Sequence, residues 1–223
     1  MAAIIQSYWS MLLGALGKTL LLTLLSLFFA MIIGMIFALM NVGRNRVLNC
    51  IGTIYVDAVR GVPLIVLAYF IYFGVPSGMK MMGATDFRLS ALQAGTIALA
   101  MNCGAYMAEI IRAGIQSVDK GQMEASRSLG LSYAKSMRLV ILPQAIRTMV
   151  PSIINQFIIT LKDTSILSVI GFPELVNTAK NVVANSFMSF QTWGIVAVMY
   201  LIVITILSKV AKIVERRLNR GRK

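Results

Sequence analysis

The sequence predicts an all-α integral membrane protein of five transmembrane helices, with the N-terminus outside and the C-terminus cytoplasmic. Three observations carry this prediction. Of 223 residues, 58% are hydrophobic and mean hydropathy is +0.80, more apolar surface than a soluble domain of this length can bury. The apolar residues gather in five stretches near the length of about 20 residues that a bilayer requires. Finally, the net charge of +13 is spread unevenly over the segments between those stretches. In a soluble chain such a charge would suggest nucleic acid. Here it reads as a topology signal, and no nucleic-acid partner is expected.

The first span, residues 19–40, is the cleanest. No basic segment precedes it in MAAIIQSYWSMLLGALG, so no cleaved secretory signal is expected and the span remains as an anchor. GALGKT, residues 14–19, ends like a phosphate-binding loop, but the motif needs Gly five positions before its Gly-Lys pair and Leu12 stands there. The chain is therefore expected to bind no ATP; were ATP the energy source, another subunit would supply it. The second span, 63–82, opens at the Pro63 of RGVP, where a helix can start but rarely continue. The third covers 89–111, the fourth 152–172, and the fifth 192–208, entered through Trp193 as an interfacial anchor. All 223 residues read as one transmembrane domain without internal repeats. Cys50 and Cys103 lie in different segments and there is no His, so neither disulfide nor metal chemistry is expected.

If five spans alternate, one side receives Arg44, Arg46 and Arg60, the basic residues from Arg112 to Arg147, and the tail KVAKIVERRLNRGRK that ends in Arg220, Arg222 and Lys223. The other side holds only Lys18, Lys80, Arg88 and Lys180. The positive-inside rule makes the first group cytoplasmic. The tail is read first as a topology signal, with an anionic-lipid anchor or a partner contact as its other readings.

The long cytoplasmic segment 112–151 contains GQMEASRSLGLSYAKSMRLVILPQAIRTMVP. Glu124 to Leu129 favours helix, Gly130 suits a left-handed C-terminal cap, Ser132 can cap a second helix, and Pro143 should break or bend it. Ala125 and Ser126 are small enough for close helix packing. Such a helix pair is either a docking element or packing that stabilises the loop.

Glu124-Ala125-Ser126, three residues, Gly130, nine residues and Val140-Ile141-Leu142-Pro143 resemble the EAA loop of ABC importer membrane subunits. Ser126 replaces Ala and Val140 replaces Ile, both conservative in size. RGVPLIVLAYFIYFGVP, AYMAEIIRAGIQSVDKGQMEASRSLGLS, VILPQA and LKDTSILSVIG look like the polar amino acid permeases of glutamine, histidine and arginine systems, over residues 15–215. Val62 stands where Thr is common and Leu67 where Gln is frequent. The resemblance implies a non-enzymatic subunit in the cell inner membrane. Its partners would be a second permease subunit, an ABC ATPase dimer holding ATP and Mg, an extracytoplasmic amino acid binding protein and membrane lipid. It also implies that Glu124, Ala125, Ser126, Gly130, Leu131 and Pro143 belong to the ATPase-coupling element. Rival readings are an importer for another small solute such as methionine, a secondary carrier, which would show paired repeats, and a scaffold subunit without transport.

LKDTSIL sets Lys162, Asp163, Thr164 and Ser165 inside the fourth span, where insertion scales put a central Lys or Asp at about +2.5 to +3.5 kcal/mol. Neighbouring side chains point about 100° apart on a helix, so Lys162 and Asp163 cannot clasp each other. A zwitterionic amino acid needs an acceptor for its ammonium and a donor for its carboxylate, the two types they supply. They could instead pair with other spans or a twin subunit, or mark a lower gate. Asn102, Tyr106 and Glu109 are the third span's candidates for a substrate pathway. Glu109 with Arg112, and Asp57 with Arg60, have i,i+3 spacing and read as gate or structural pairs.

Overall fold

A computed structural model describes residues 2–43 and 45–219, so Arg44 and, in the tail, Arg220, Arg222 and Lys223 lie outside the described residues. All regular structure among the described residues is helical, and five helices are long and apolar enough to cross a membrane.

Helix α1, Ala2–Val42, begins well before Thr19 because nothing in that segment stops it. Gly14 and Gly17 weaken a helix by about 1 kcal/mol each but do not end one. Helix α2, Arg46–Gly61, starts at Asn45, whose side chain accepts the N–H groups of Val47 and Leu48 at 2.9 and 3.3 Å. It stops at Gly61 because Val62 precedes a proline and is driven to extended backbone, φ −100° and ψ 129°. Helix α3, Leu64–Met81, follows Pro63 directly. The second span therefore has an amphipathic helix, α2, joined to its start through a sharp break.

Helix α4, Ala91–Gln116, opens on a capping box in which Ser90 and Gln93 satisfy each other's backbone N–H groups. It extends past residue 111 and carries Arg112 as a helical residue. Helix α5, Lys120–Ser128, is capped by Asp119. Helix α6, Tyr133–Ile170, begins far ahead of residue 152 and contains both Pro143 and Pro151. The bend expected at Pro143 takes the form of a π turn, Met137–Ile141, just before it. An equivalent π turn, Phe70–Gly74, precedes Pro76 in α3. In each, widening the turn makes room for a ring that would otherwise meet the carbonyl four residues back. From Thr164 to Ile170 α6 tightens to a 3-10 helix and ends at Gly171, φ +76°. Helix α7, Leu175–Ser186, was not legible as a separate element, and α8, Ser189–Asn219, continues the fifth span through the tail's Lys209, Lys212, Arg216 and Arg217.

Small residues four apart, Ala30, Gly34 and Ala38 on α1 against Gly104 and Ala108 on α4, bring the two backbones together. A Cβ added at Gly34 would lie 2.5 Å from Met107 Cβ and 3.1 Å from the Gly104 carbonyl oxygen. Gly34→Ala should therefore cost about 1–3 kcal/mol of overpacking and lower the detergent unfolding temperature. Gly17→Ala, with nothing within 4 Å of the new Cβ, should leave that temperature unchanged or raise it, as expected for about 0.5–1 kcal/mol of helix preference.

One end of the bundle gathers Ala38, Val56, Ala108, Ile111, Ala145 and Met149, from α1, α2, α4 and α6. At the other, Ile4, Leu12 and Ala15 of α1 pack with Leu175, Ala179 and Val182 of α7 and with α8.

Candidate functional site

The break at Gly61-Val62-Pro63 opens onto a cavity of about 430 Å³ that also meets Arg60, Asn102, Tyr106, Gln156 and Asp163. Three helices supply its polar side chains. α2 delivers Arg60 on its last turn, α4 places Asn102 and Tyr106 one turn apart on one face, and α6 presents Gln156 two turns before Asp163. As at any helix start, the N–H groups of Leu64 and Ile65 precede α3's own hydrogen-bond ladder. Leu64 borders the cavity, so the cavity faces the positive end of the α3 dipole. The volume lies within the roughly 300–1,000 Å³ of small-molecule sites.

Among the four polar residues of LKDTSIL, only Asp163 lines this cavity. Lys162 is exposed on the surface of the chain, Thr164 is fully buried with its hydroxyl donating to the Leu161 carbonyl at 2.7 Å, and Ser165 donates to the Lys162 carbonyl at 2.7 Å. The two hydroxyls thus fold back onto the helix where it tightens, instead of facing a passing solute. Asp163 forms no ion pair with any described residue, Lys162 included. The cavity's cation is Arg60, from a different helix. Gln156 is absent from the sequence reading, although its spacing of seven residues from Asp163 marks the same face.

Glu109 and Arg112 pair as their spacing predicts, Arg112 donating from Nε at 3.0 Å and from an Nη at 2.5 Å, while its other Nη donates to Gln116 at 2.6 Å. Arg60 does not pair with Asp57. Its guanidinium lies 4.0 Å from Glu109 and stacks over the Tyr106 ring at 5.1 Å, because the third helix offers both an acid and an aromatic face to the last turn of α2. Asp57 is exposed and borders a second polar cavity of about 420 Å³ with Arg60, Glu109, Arg112, Asn49 and Gln116.

The coupling-loop candidates form one hairpin. Glu124, Ala125 and Ser126 lie on α5; Ser126 is buried and donates to the Met123 carbonyl at 2.9 Å. Gly130, at φ +85°, closes the helix: its N–H bonds the Arg127 carbonyl at 3.0 Å and that of Leu131 bonds the Ser126 carbonyl at 3.2 Å. This is the paired bonding of a Schellman cap. Ser132 then accepts the Lys135 N–H at 3.3 Å and starts α6, on which Pro143 follows the π turn. Leu129 stands at the turn 84% exposed.

The reading of the sequence also missed Glu174. It is fully buried, accepts the N–H groups of Val176 and Asn177 at 2.8 and 2.6 Å, and receives the Tyr200 hydroxyl at 3.4 Å. Burial pushes its carboxyl above the usual range, against the pull of the two N–H groups. Beside it, the Leu175 N–H donates to Thr19 at 3.1 Å, tying α7 to α1. Glu174→Ala should remove this cap and cost about 0.5–2 kcal/mol, read as a lower unfolding temperature.

Residues 30–221 match the family described as binding-protein-dependent transport system inner membrane components. The chain is 37% identical over 219 residues to a probable glutamine ABC transporter permease of Bacillus subtilis (strain 168), covering 98% of each. It is 39% identical over 216 residues to an L-cystine transport system permease of the same organism, covering 96% of this chain and 89% of that one. Among solved structures, a chain of an amino acid ABC transporter crystallised with histidines superposes with a TM-score of 0.87, at 38% identity and 96% coverage of both chains.

Proposed function

The chain belongs to the binding-protein-dependent transport system inner membrane components, and from that membership we propose that it forms the pathway by which a neutral polar amino acid enters the cell. It is a transport subunit and not an enzyme, since ATP hydrolysis in such importers lies with partner subunits. The observation that carries the substrate reading is the cavity, with the Asp163 carboxylate on α6 and, on other elements, the Arg60 guanidinium and the start of α3. The first is an acceptor for an ammonium, the other two are donors for a carboxylate, and Asn102 and Gln156 remain for a polar side chain. Relatives named for glutamine and for L-cystine share this α-amino acid zwitterion as the common part of their ligands.

The wider assembly follows from the same reading. The chain spans the cell inner membrane with its N-terminus outside, pairs with a second permease subunit and receives its amino acid from an extracytoplasmic binding protein. An ATPase dimer carrying ATP and Mg docks on the α5 hairpin. The ATPases drive transport by binding one permease conformation better than the other. Reconstitution with those partners tests the whole reading. ATP-dependent uptake should appear for at least one of L-glutamine, L-cystine and L-histidine; uptake of none, with no stimulation of ATP hydrolysis, would refute it.

A further inference from the structure

The two polar cavities share one lining residue, Arg60. Above it lies the cavity of Asp163; the second cavity holds Asp57, one helical turn before Arg60 on the same face of α2. Asp57 takes part in no hydrogen bond or ion pair with any described residue; Arg112 of the same cavity is near enough to feel its charge, but the carboxylate's acceptor positions stay open. Glu109 and Arg112, by contrast, satisfy each other in a bidentate pair. Arg60 is held loosely: its contact with Glu109 is 4.0 Å long, its stacking on Tyr106 tolerates sliding, and its side chain is about one-third exposed. A long side chain so placed can keep hold of a carboxylate while the rest of the ligand changes partner.

We propose that the Asp57 cavity is a second station for the zwitterionic amino acid on the cytoplasmic side of Arg60. The substrate carboxylate stays on Arg60 while its ammonium passes from Asp163 to Asp57. This rests on the proposed function and deepens it, because a station open to the cytoplasm also binds substrate already inside. That occupant claims Arg60 and blocks the handover, so accumulated amino acid restrains its own import. No proton or covalent bond is transferred; two charge-assisted hydrogen bonds to the ammonium are exchanged, one made as the other breaks.

The complete permease, with its ATPase and binding protein, is tested in proteoliposomes holding ATP and either no amino acid or a millimolar concentration of whichever of L-glutamine, L-cystine and L-histidine it takes up, and the ratio of the two uptake rates for that amino acid is read. The ratio cancels any change in absolute rate. Wild type should slow about fivefold or more with that amino acid inside, the lower end of typical couplings between sites. Asp57→Asn should bring the ratio close to one, and Asp57→Glu, which keeps the carboxylate, should preserve the slowing. A wild-type ratio near one, or an Asp57→Asn ratio equal to a slowed wild type's, overturns the second station and leaves the function reading standing. Absence of L-glutamine, L-cystine and L-histidine uptake in every arm fails both.

Discussion

Asp163→Asn is expected to reduce amino acid uptake by about ten- to a hundredfold while the permease still assembles with its ATPase. The range follows from the bond removed. A hydrogen bond to a charged group is worth about 1.5–3 kcal/mol, and each 1.4 kcal/mol is about tenfold in an equilibrium constant. The substitution keeps the shape of the side chain and takes away only its charge. Asp163 forms no ion pair with a described residue, so the change leaves no cation of this chain stranded and folding should survive it. Lys162→Gln should alter uptake far less, because Lys162 lies outside the cavity on the surface of the chain. ATP-driven uptake in proteoliposomes, beside co-purification of the ATPase with each variant, separates transport from assembly. Uptake by Asp163→Asn equal to wild type would remove this carboxylate from the pathway.

Five apolar helices, the turn at Gly130 and the helix start after Pro63 were legible because each depends on a local rule: hydrophobic length, left-handed backbone at a glycine, and the restriction on the residue before a proline. The extent of α1 and α8 was harder to read, since helices continue past the membrane wherever no breaker intervenes. Pro143, expected to break or bend the loop's second helix, does not end it: a π turn absorbs its ring, and the helix runs on through Pro151 as well. In the candidate site, Asp163, Asn102 and Tyr106 could be named because polar groups within apolar spans stand out. Their counter-charge could not, because whether Lys162 or Arg60 faces Asp163 depends on how α2 is set against α6. The Glu109–Arg60 contact likewise joins two helices whose crossing no periodicity encodes. Glu174 escaped because a buried glutamate that caps a short helix looks, in sequence, like any loop acid.

Disrupting the α5 hairpin should separate the permease from its energy source. Gly130 holds φ +85°, a conformation that costs an L-residue roughly 1–2 kcal/mol, and a β-branched side chain adds crowding at its stiff χ1. Gly130→Val is therefore expected to unwind the Schellman cap, freeing the Ser126 and Arg127 carbonyls that the Leu131 and Gly130 N–H groups now satisfy. The hairpin would lose its shape and ATP-driven uptake would fall with it. Leu129→Asp probes the same surface with the fold left intact, because Leu129 is 84% exposed and contributes little to the interior. If the ATPase buries Leu129, the substitution forfeits about 1.5–3 kcal/mol of apolar burial and sets an unpaired carboxylate in the interface. Affinity for the ATPase should then drop by at least about tenfold, while the variant's unfolding temperature stays at the wild-type value. A Leu129→Asp permease that holds its ATPase as tightly as wild type would show that the hairpin's exposed leucine is not the docking contact.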